Sequence, residues 1–101
     1  MGRLLLDQYS YLHFASGIIA YFWGLSFTQW CVVHIVFEIM ENTPVVIYII
    51  DNYLPVWPGG KRQPDSFVNI VGDNCAAFLG WYSAYLLDQL GSKMGWYQSH
   101  L

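Results

Sequence analysis

The chain has very few charged side chains, and this scarcity limits what kind of protein it is. Of its 101 residues, 11% are charged, 55% are hydrophobic and 19% are aromatic. Soluble domains carry about 25% charged residues, and so small a soluble domain would expose too much surface to stay hydrated with fewer. The composition therefore favours a membrane protein over a soluble helical domain with a large apolar patch.

Basic residues are especially rare. The sequence contains four Lys and Arg against seven Asp and Glu, for a net charge of −3. Proteins that bind nucleic acid need clustered basic residues to meet the phosphates. We therefore expect no nucleic-acid partner.

Several sequence signals are also missing. Cys31 and Cys75 both lie in apolar segments, where a free thiol behaves as a small hydrophobic group, so a disulfide is not expected. We find no cleavable signal peptide and no glycosylation sequon, and Leu6 stands where myristoylation needs Ser or Thr. No nucleophile elbow, phosphate loop or haem motif is present. The interpretation therefore depends on how polar and apolar residues alternate.

Three long apolar segments are each close to the ~20 residues that cross a bilayer core. They cover about residues 9–27, 28–53 and 66–87, separated by a Pro- and Gly-rich loop at 54–65 and followed by a tail at 88–101 that we expect at the membrane interface. Pro44 should kink or break the second helix. The sequence thus predicts one all-α domain, a polytopic integral membrane protein built as a three-helix transmembrane bundle.

The basic residues also predict the orientation of this bundle. With three spans, Arg3, Lys61 and Arg62 fall on one side and Lys93 on the other. Positive residues concentrate on the cytoplasmic side of membrane proteins. We therefore expect the N-terminus and the loop 54–65 in the cytoplasm, with a virion inner membrane as an alternative setting.

Polar residues occur in the apolar segments at helical spacing. His34 and Glu38 share one face of the second segment, and Asp65, Asn69 and Asp73 repeat every four residues along the third. A charge in hydrocarbon costs about 2.5–3.5 kcal/mol on insertion scales, so these stripes should turn towards a common axis. The expected network comprises His13, His34, Glu38, Glu41, Asn42, Asp65, Asn69 and Asp73.

Small residues follow the same faces. Gly72, Ala76 and Gly80 are spaced by four in the third segment, and Gly17 and Gly24 lie in the first. Such patterns let helix backbones approach closely in lipid. We expect these five positions to be helix-packing sites.

The polar network has more than one chemical interpretation. It can simply fix the register of the helices through satisfied hydrogen bonds. Alternatively, Glu38, Glu41, Asp65 and Asp73 would act as catalytic acids and bases, or an oligomer would build a proton or ion path. No cofactor is required, but His34, Glu38 and Glu41 are candidate ligands for a divalent metal, in an order and spacing that differ from the H-E-x-x-H helix of zinc peptidases.

The motifs resemble a known group of proteins. The runs Asp7-x-Tyr9-x-x-x-His13, Glu38-x-x-Glu41-Asn42-Thr43-Pro44 and Asp65-x-x-x-Asn69-x-x-x-Asp73 resemble a family of small bacterial inner-membrane proteins with a domain of unknown function, marked by E-x-x-E-N-[ST]-P. The resemblance covers about residues 7–87 and implies a membrane fold. Typical members have a further N-terminal span and a Cys-containing segment, for which we expect no counterpart here. A more distant likeness links the acidic helix to VanZ-like proteins.

Two functional hypotheses follow. The first is a small structural or accessory integral-membrane subunit of a larger assembly, either a membrane complex or the inner-membrane layer of a large virus. Its aromatic surfaces, its loop and its tail would contact the lipid bilayer and other protein subunits. The rival is an intramembrane metal-assisted hydrolase acting on a lipid or a lipid-linked phosphate.

Overall fold

A computed structural model describes residues 2–100 of the chain. Within this range there are four helices and no strand, so the predicted all-α class is confirmed. The helices are α1 (Ser10–Phe22), α2 (Phe27–Glu41), α3 (Pro44–Tyr53) and α4 (Phe67–Lys93). Leu101, the last residue of the predicted tail, lies outside the described residues.

Helices α1 and α4 pack along their length and run in the same direction. Phe14 of α1 lies against Gly80 of α4, and further along both helices the Tyr21 hydroxyl donates to Asp88. The segment before α1 continues this contact, because the Gly2 carbonyl accepts from the Ser66 amide at 2.7 Å. The N-terminal segment and the end of the loop 54–65 therefore lie at the same end of the molecule.

Helix α2 runs antiparallel to α4. Near its start the Trp30 indole donates to the Ala77 carbonyl at 3.0 Å, and one residue beyond its end Asn42 accepts from the Asp65 amide at 2.7 Å. A capping box in which Ser26 and Gln29 exchange hydrogen bonds fixes where α2 begins. Three helices thus alternate in direction, as the predicted bundle requires.

The second predicted helix is broken rather than kinked at Pro44. Helices α2 and α3 meet at an angle of 78°, and Pro44 is the first residue of α3. Proline suits that position because its missing N–H has no partner there in any helix. At the other side of the break, Asn42 donates to the Glu38 carbonyl at 2.7 Å and satisfies one free end of α2.

Glycines permit the close contact between α1 and α4. A methyl group at Gly17 would collide with the backbone of Ala77 and Trp81, and one at Gly80 would collide with Phe14. A methyl group at Gly72 would likewise collide with the Leu5 carbonyl of the N-terminal segment, and Ala76 is buried. The expected packing role is wrong for Gly24, which lies in the turn after α1 with φ +88° and nothing within 4 Å of an added methyl.

The interior is divided into an apolar end and a polar end. The apolar core consists of Ala20, Tyr21, Trp30, Ala77, Trp81 and Ala84. The other end, near the start of α4, buries ionisable side chains. The fold therefore places the predicted polar stripes together and away from the aromatic core.

Two boundaries differ from the sequence-based expectation. Helix α1 ends at Phe22, whereas the first segment was expected to continue to about residue 27; Gly24 makes the turn. Helix α4 continues to Lys93, six residues into the predicted tail.

No single helix within residues 2–100 is both long enough and apolar enough to qualify by itself as a membrane span. The bent pair of α2 and α3 qualifies only when the two helices are taken together.

Candidate functional site

Two histidines from different helices meet between α1, α2 and α4. Nδ1 of His13 on α1 lies 2.9 Å from Nε2 of His34 on α2. Oε1 of Glu38, one turn after His34, lies 3.4 Å from His13 Nδ1 and 4.0 Å from His34 Nε2. Asp73 on α4 completes the group on the far side of His13. We call these four residues the histidine–glutamate cluster.

A hydrogen bond on the outer side of His34 and a longer carboxylate contact on the outer side of His13 orient the two imidazoles. Asn74 donates its amide to the Ile70 carbonyl at 3.0 Å, which turns its oxygen towards His34 Nδ1 at 2.8 Å. His34 therefore donates through Nδ1, and its Nε2 presents a lone pair to His13. On the other ring, His13 Nε2 faces Oδ2 of Asp73 at 3.4 Å.

Glu38 is fully buried, and its two oxygens have different surroundings. Oε2 accepts from the Asn42 amide at 3.5 Å. Among the side chains of residues 2–100, nothing hydrogen-bonds to Oε1. A buried carboxylate oxygen without a partner is unfavourable by several kcal/mol unless a proton or a cation reaches it.

A second group surrounds Lys61, which is only 5% exposed. Its ammonium donates to Asn42 Oδ1 at 2.9 Å and to Glu41 Oε1 at 3.4 Å, and it lies 2.7 Å from Asp65 Oδ2. The Asp65 amide also donates to Asn42 Oδ1. We call Glu41, Asn42, Lys61 and Asp65 the lysine cluster.

Lys61 is a buried residue of the candidate site that the sequence interpretation does not include. The sequence places it in a cytoplasmic loop, yet the loop folds back and inserts its ammonium between α2 and α4. Its spacing of four from Asp65 was the one available signal, but that spacing has structural meaning only in a helix. The fold of the loop could not be read from its Pro and Gly content.

The structure brings together two of the three predicted metal ligands. His34 and Glu38 do approach one another, but Glu41 points to Lys61 instead, and His13 takes its place. Carboxylate oxygens of Glu38, Glu41 and Asp65 nevertheless lie within 4.8 Å of one another, so the two clusters are adjacent. The four candidate catalytic acids are thus divided between them.

Asn69 connects the same region to the N-terminal segment. Its amide donates to the Leu4 carbonyl at 2.7 Å and to Asp7 Oδ2 at 3.3 Å. Its own backbone N–H donates to Ser66, the N-cap of α4. All eight residues of the predicted network therefore lie in or beside the two clusters, with Asp7, Lys61 and Asn74 as additions.

The buried charges do not balance. Glu38, Glu41, Asp65 and Asp73 bring four carboxyl groups together, and Lys61 is the one Lys or Arg of the described chain that lies among them. Burying several carboxylates in proximity is unfavourable unless protons or cations compensate them. The site is therefore suited to bind protons or a positively charged ligand.

A cavity of about 430 Å³ adjoins both clusters. Its polar wall includes His13, His34, Glu41, Lys61 and Asp73. Apolar side chains also line the cavity, among them Leu12, Val33, Phe37, Trp57 and Pro58. Such a cavity is large enough for a small molecule or one end of an amphipathic one.

At the other end of the molecule, Asp88 holds the tail. It accepts from Tyr21, from the Ser99 hydroxyl at 3.3 Å and from the His100 amide at 3.0 Å. The hydrogen bond from Tyr21 is the main reason that the pKa of Asp88 lies below its ordinary value of 3.8. This contact is separate from the cavity and serves the fold.

Comparison with known proteins adds no constraint. No protein-family model, curated protein or solved structure matches this chain. The likeness to bacterial inner-membrane proteins and to VanZ-like proteins therefore stays a prediction. Function has to be argued from the geometry of the two clusters and from the surface around them.

Proposed function

We propose that this protein is a small structural or accessory integral-membrane subunit of a larger assembly. The observation that supports it most is the inverted distribution of polar and apolar side chains. Within residues 2–100, thirty-three large hydrophobic residues are exposed, eight hydrophobic residues are buried, and eight buried residues are polar or charged. A soluble monomer rarely exposes such a large apolar area, whereas a lipid-facing surface requires one.

The arrangement of the helices is consistent with three crossings. Helix α4 has 27 residues and is about 40 Å long, enough for a bilayer core. Its mean hydropathy is lowered by Asn69, Asp73 and Asn74, but these side chains bond within the bundle and would not face lipid. Helix α1 is short for a span, and the exposed residues Leu4, Leu5 and Leu6 before it would share the crossing, with Arg3 on the cytoplasmic side.

The exposed charges favour the orientation with the N-terminal segment in the cytoplasm. Arg3 and Arg62 are exposed at the end where that segment meets the start of α4. Lys61 is neutralised by Glu41 and Asp65, so it contributes less to the positive-inside bias than the sequence count suggested. Exposed Trp23 near the opposite end suits the other interface.

The structural part of the proposal is supported by the site's internal bonding. Most polar atoms of the two clusters bond to other residues of the same chain and lock α1, α2 and α4 in register. The molecule is narrow, measuring 48 × 25 × 22 Å. Neighbouring subunits would cover the exposed aromatic side chains of the loop and tail, in a cellular complex or in the inner membrane of a virion.

Alkaline extraction and native electrophoresis test the two parts of this proposal. The protein should stay with membranes at high pH and should migrate with partner proteins when solubilised in mild detergent. Gln63→Cys and Lys93→Cys, introduced separately after both native cysteines are replaced, should react with an impermeant thiol reagent from opposite sides of the membrane. Release at high pH, or labelling of both from one side, would contradict it.

The cavity favours a second candidate, a membrane-interface hydrolase of lipid phosphates. Its apolar wall would hold an acyl chain while Glu38, Glu41, Asp65 and Asp73 act on the head group. The purified protein should then release phosphate from a lipid phosphate in mixed micelles, and Glu38→Gln should abolish that release. A wild-type protein that is folded and releases no phosphate rules this candidate out.

A further inference from the structure

We propose that His13 Nδ1, His34 Nε2 and Glu38 Oε1 bind a divalent transition-metal ion of the zinc class. The three atoms lie 2.9 to 4.0 Å apart. In a tetrahedral zinc site with bonds of about 2.1 Å, neighbouring ligand atoms are about 3.4 Å apart. Small side-chain shifts would bring all three atoms to that separation.

The outer contacts of both rings, a hydrogen bond for His34 and a carboxylate contact for His13, resemble those of metal-binding histidines. Such histidines use one ring nitrogen for the metal and donate the other N–H to a carboxylate, a carbonyl or a similar acceptor. His34 Nδ1 has Asn74 as its acceptor at 2.8 Å, and His13 Nε2 has Asp73 at 3.4 Å. With both outer nitrogens protonated, the two inner nitrogens turn lone pairs towards each other at 2.9 Å. A cation between them removes that repulsion.

Glu38 provides the second, independent indication. Its side chain is fully buried, and Oε1 has no hydrogen-bond partner within the described part of the chain. That oxygen is the one nearest to both histidines. A single proton between the imidazoles would join the two nitrogens but would leave Oε1 unsatisfied, whereas a metal ion would satisfy all three atoms.

The neighbouring group of carboxylates is a weaker candidate. Glu41 and Asp65 already surround the Lys61 ammonium, so a cation occupies their centre. The two imidazoles also set the type of metal, because nitrogen ligands suit zinc and related ions whereas magnesium and calcium prefer oxygen. His13 and His34 line the cavity, so a water molecule would occupy the fourth position from that side.

Metal titration of the full chain in detergent, with any affinity tag removed, tests this inference. Calorimetry should show one Zn²⁺ bound per chain and no binding of Mg²⁺ or Ca²⁺ at the same concentration. Co²⁺ should bind at the same place and give the strong visible absorption of a four-coordinate site. Zn²⁺ should raise the melting temperature of the wild-type protein.

Variants locate the site. His13→Gln, His34→Gln and Glu38→Gln should each weaken Zn²⁺ binding at least 100-fold, and Asn74→Ala should weaken it about 10- to 100-fold because His34 loses its orienting partner. His100→Gln is the matched control and should bind like the wild type. Circular dichroism without metal checks that each variant is folded.

The metal-binding inference can be tested even where a variant fails to fold, because the wild-type protein is measured as well. A folded wild-type protein that binds neither Zn²⁺ nor Co²⁺ at micromolar concentration overturns the inference, as does Co²⁺ bound with the weak absorption of a six-coordinate complex. Loss of binding in His100→Gln alone would also overturn it. None of these results bears on membrane insertion, so the inference and the proposed function fail separately.

Discussion

The side-chain amide of Asn42 connects the histidine–glutamate cluster to the lysine cluster. The Asn42 nitrogen donates to the Glu38 carbonyl, and its oxygen accepts from both Lys61 and the Asp65 amide. Asn42 thus ends α2, anchors the loop and positions the start of α4 with a single side chain. Because a side-chain amide both donates and accepts, neither Asp nor Leu could make this set of bonds.

Replacing Asn42 by Ala should therefore destabilise the protein strongly. The change removes one acceptor from the Lys61 ammonium, which keeps Glu41 and Asp65. It also leaves the Glu38 carbonyl and the Asp65 amide without their Asn42 partner, and each such buried group costs roughly 1–3 kcal/mol. Chemical unfolding in detergent should show a loss of about 3 kcal/mol. Asn52→Ala is the matched control, because Asn52 is exposed and bonds only to the Tyr48 carbonyl of its own helix. Equal losses in both variants would contradict the bridging role.

The tail contact at Asp88 predicts a pH dependence. Because its pKa is lower in the folded protein than the ordinary 3.8, ionised Asp88 stabilises the fold at pH values above about 4, and the contribution disappears as the pH falls through the lowered value. The intrinsic tryptophan emission of the wild type should change over that acidic range. Asp88→Asn should lack this step, and an identical acid transition in both proteins would assign it to other carboxylates.

At the scale of the element, contact between α1 and α4 depends on the absence of side chains. Gly17 and Gly80 let the two backbones meet, with Phe14 and Ala77 as their direct neighbours. In the proposed membrane setting, apolar burial would give no driving force between helices, and this close packing would supply much of the association energy. Hydrogen bonds from polar side chains to carbonyl groups of other segments also hold the helices together, such as that from Trp30 to Ala77.

The variant Gly80→Ala distinguishes the effect of helix packing on stability from the effect of helix propensity. In an unconstrained helix the change stabilises by up to about 1 kcal/mol, but here the added methyl would collide with the Phe14 backbone. We expect a loss of roughly 1–3 kcal/mol, as in overpacked cores, measured by unfolding in detergent. Cys75→Ala, on the exposed side of α4, should be nearly neutral. A stabilised Gly80→Ala protein would mean that the helices are further apart in solution.

At the scale of the whole molecule, the surface is largely apolar and much of the interior is polar, which is the reverse of a soluble protein. The exposed sides of α2 and α4 are apolar, and the polar groups of these helices face one another. Two solvents would account for the pattern: lipid around the middle of the bundle and water around the loop and tail. The same polar substitution on the surface should therefore be nearly neutral in water and destabilising in lipid.

Introducing an aspartate at an exposed position in the middle of α4 therefore tests whether lipid or water surrounds the helix. Leu79 is 62% exposed at that position. In water, Leu79→Asp would change stability by no more than about 0.5 kcal/mol, whereas in a bilayer it should cost about 2.5–3.5 kcal/mol and reduce membrane insertion. Val56→Asp, in the loop and 86% exposed, is the control and should be harmless. Measurement in bicelles or in an insertion assay decides, and equal tolerance of both changes would contradict a membrane location.

Much of the fold could be predicted because it depends on local chemistry. Ser66 caps α4 through its hydroxyl, Pro44 interrupts the second helix, and the spacing of Gly72 and Gly80 identifies the packing face of α4. Gly24 was misassigned because a glycine in a turn and a glycine at a helix contact look identical in sequence. The extension of α4 to Lys93 was missed for a similar reason: a glycine inside a helix resembles one that ends it.

The amino-acid order alone determined the helical class, an interruption of the second helix at Pro44 and the choice of residues that face inward, since periodicity and backbone chemistry act over a few neighbouring positions. Only the tertiary structure showed that the interruption is a break rather than a kink. Only the tertiary structure decided which polar groups meet: Lys61 joins Glu41 and Asp65, and His13 rather than Glu41 joins His34. The reason is physical, because contacts between helices depend on their relative direction, register and separation. Those quantities result from packing over the whole chain, and no local pattern encodes them.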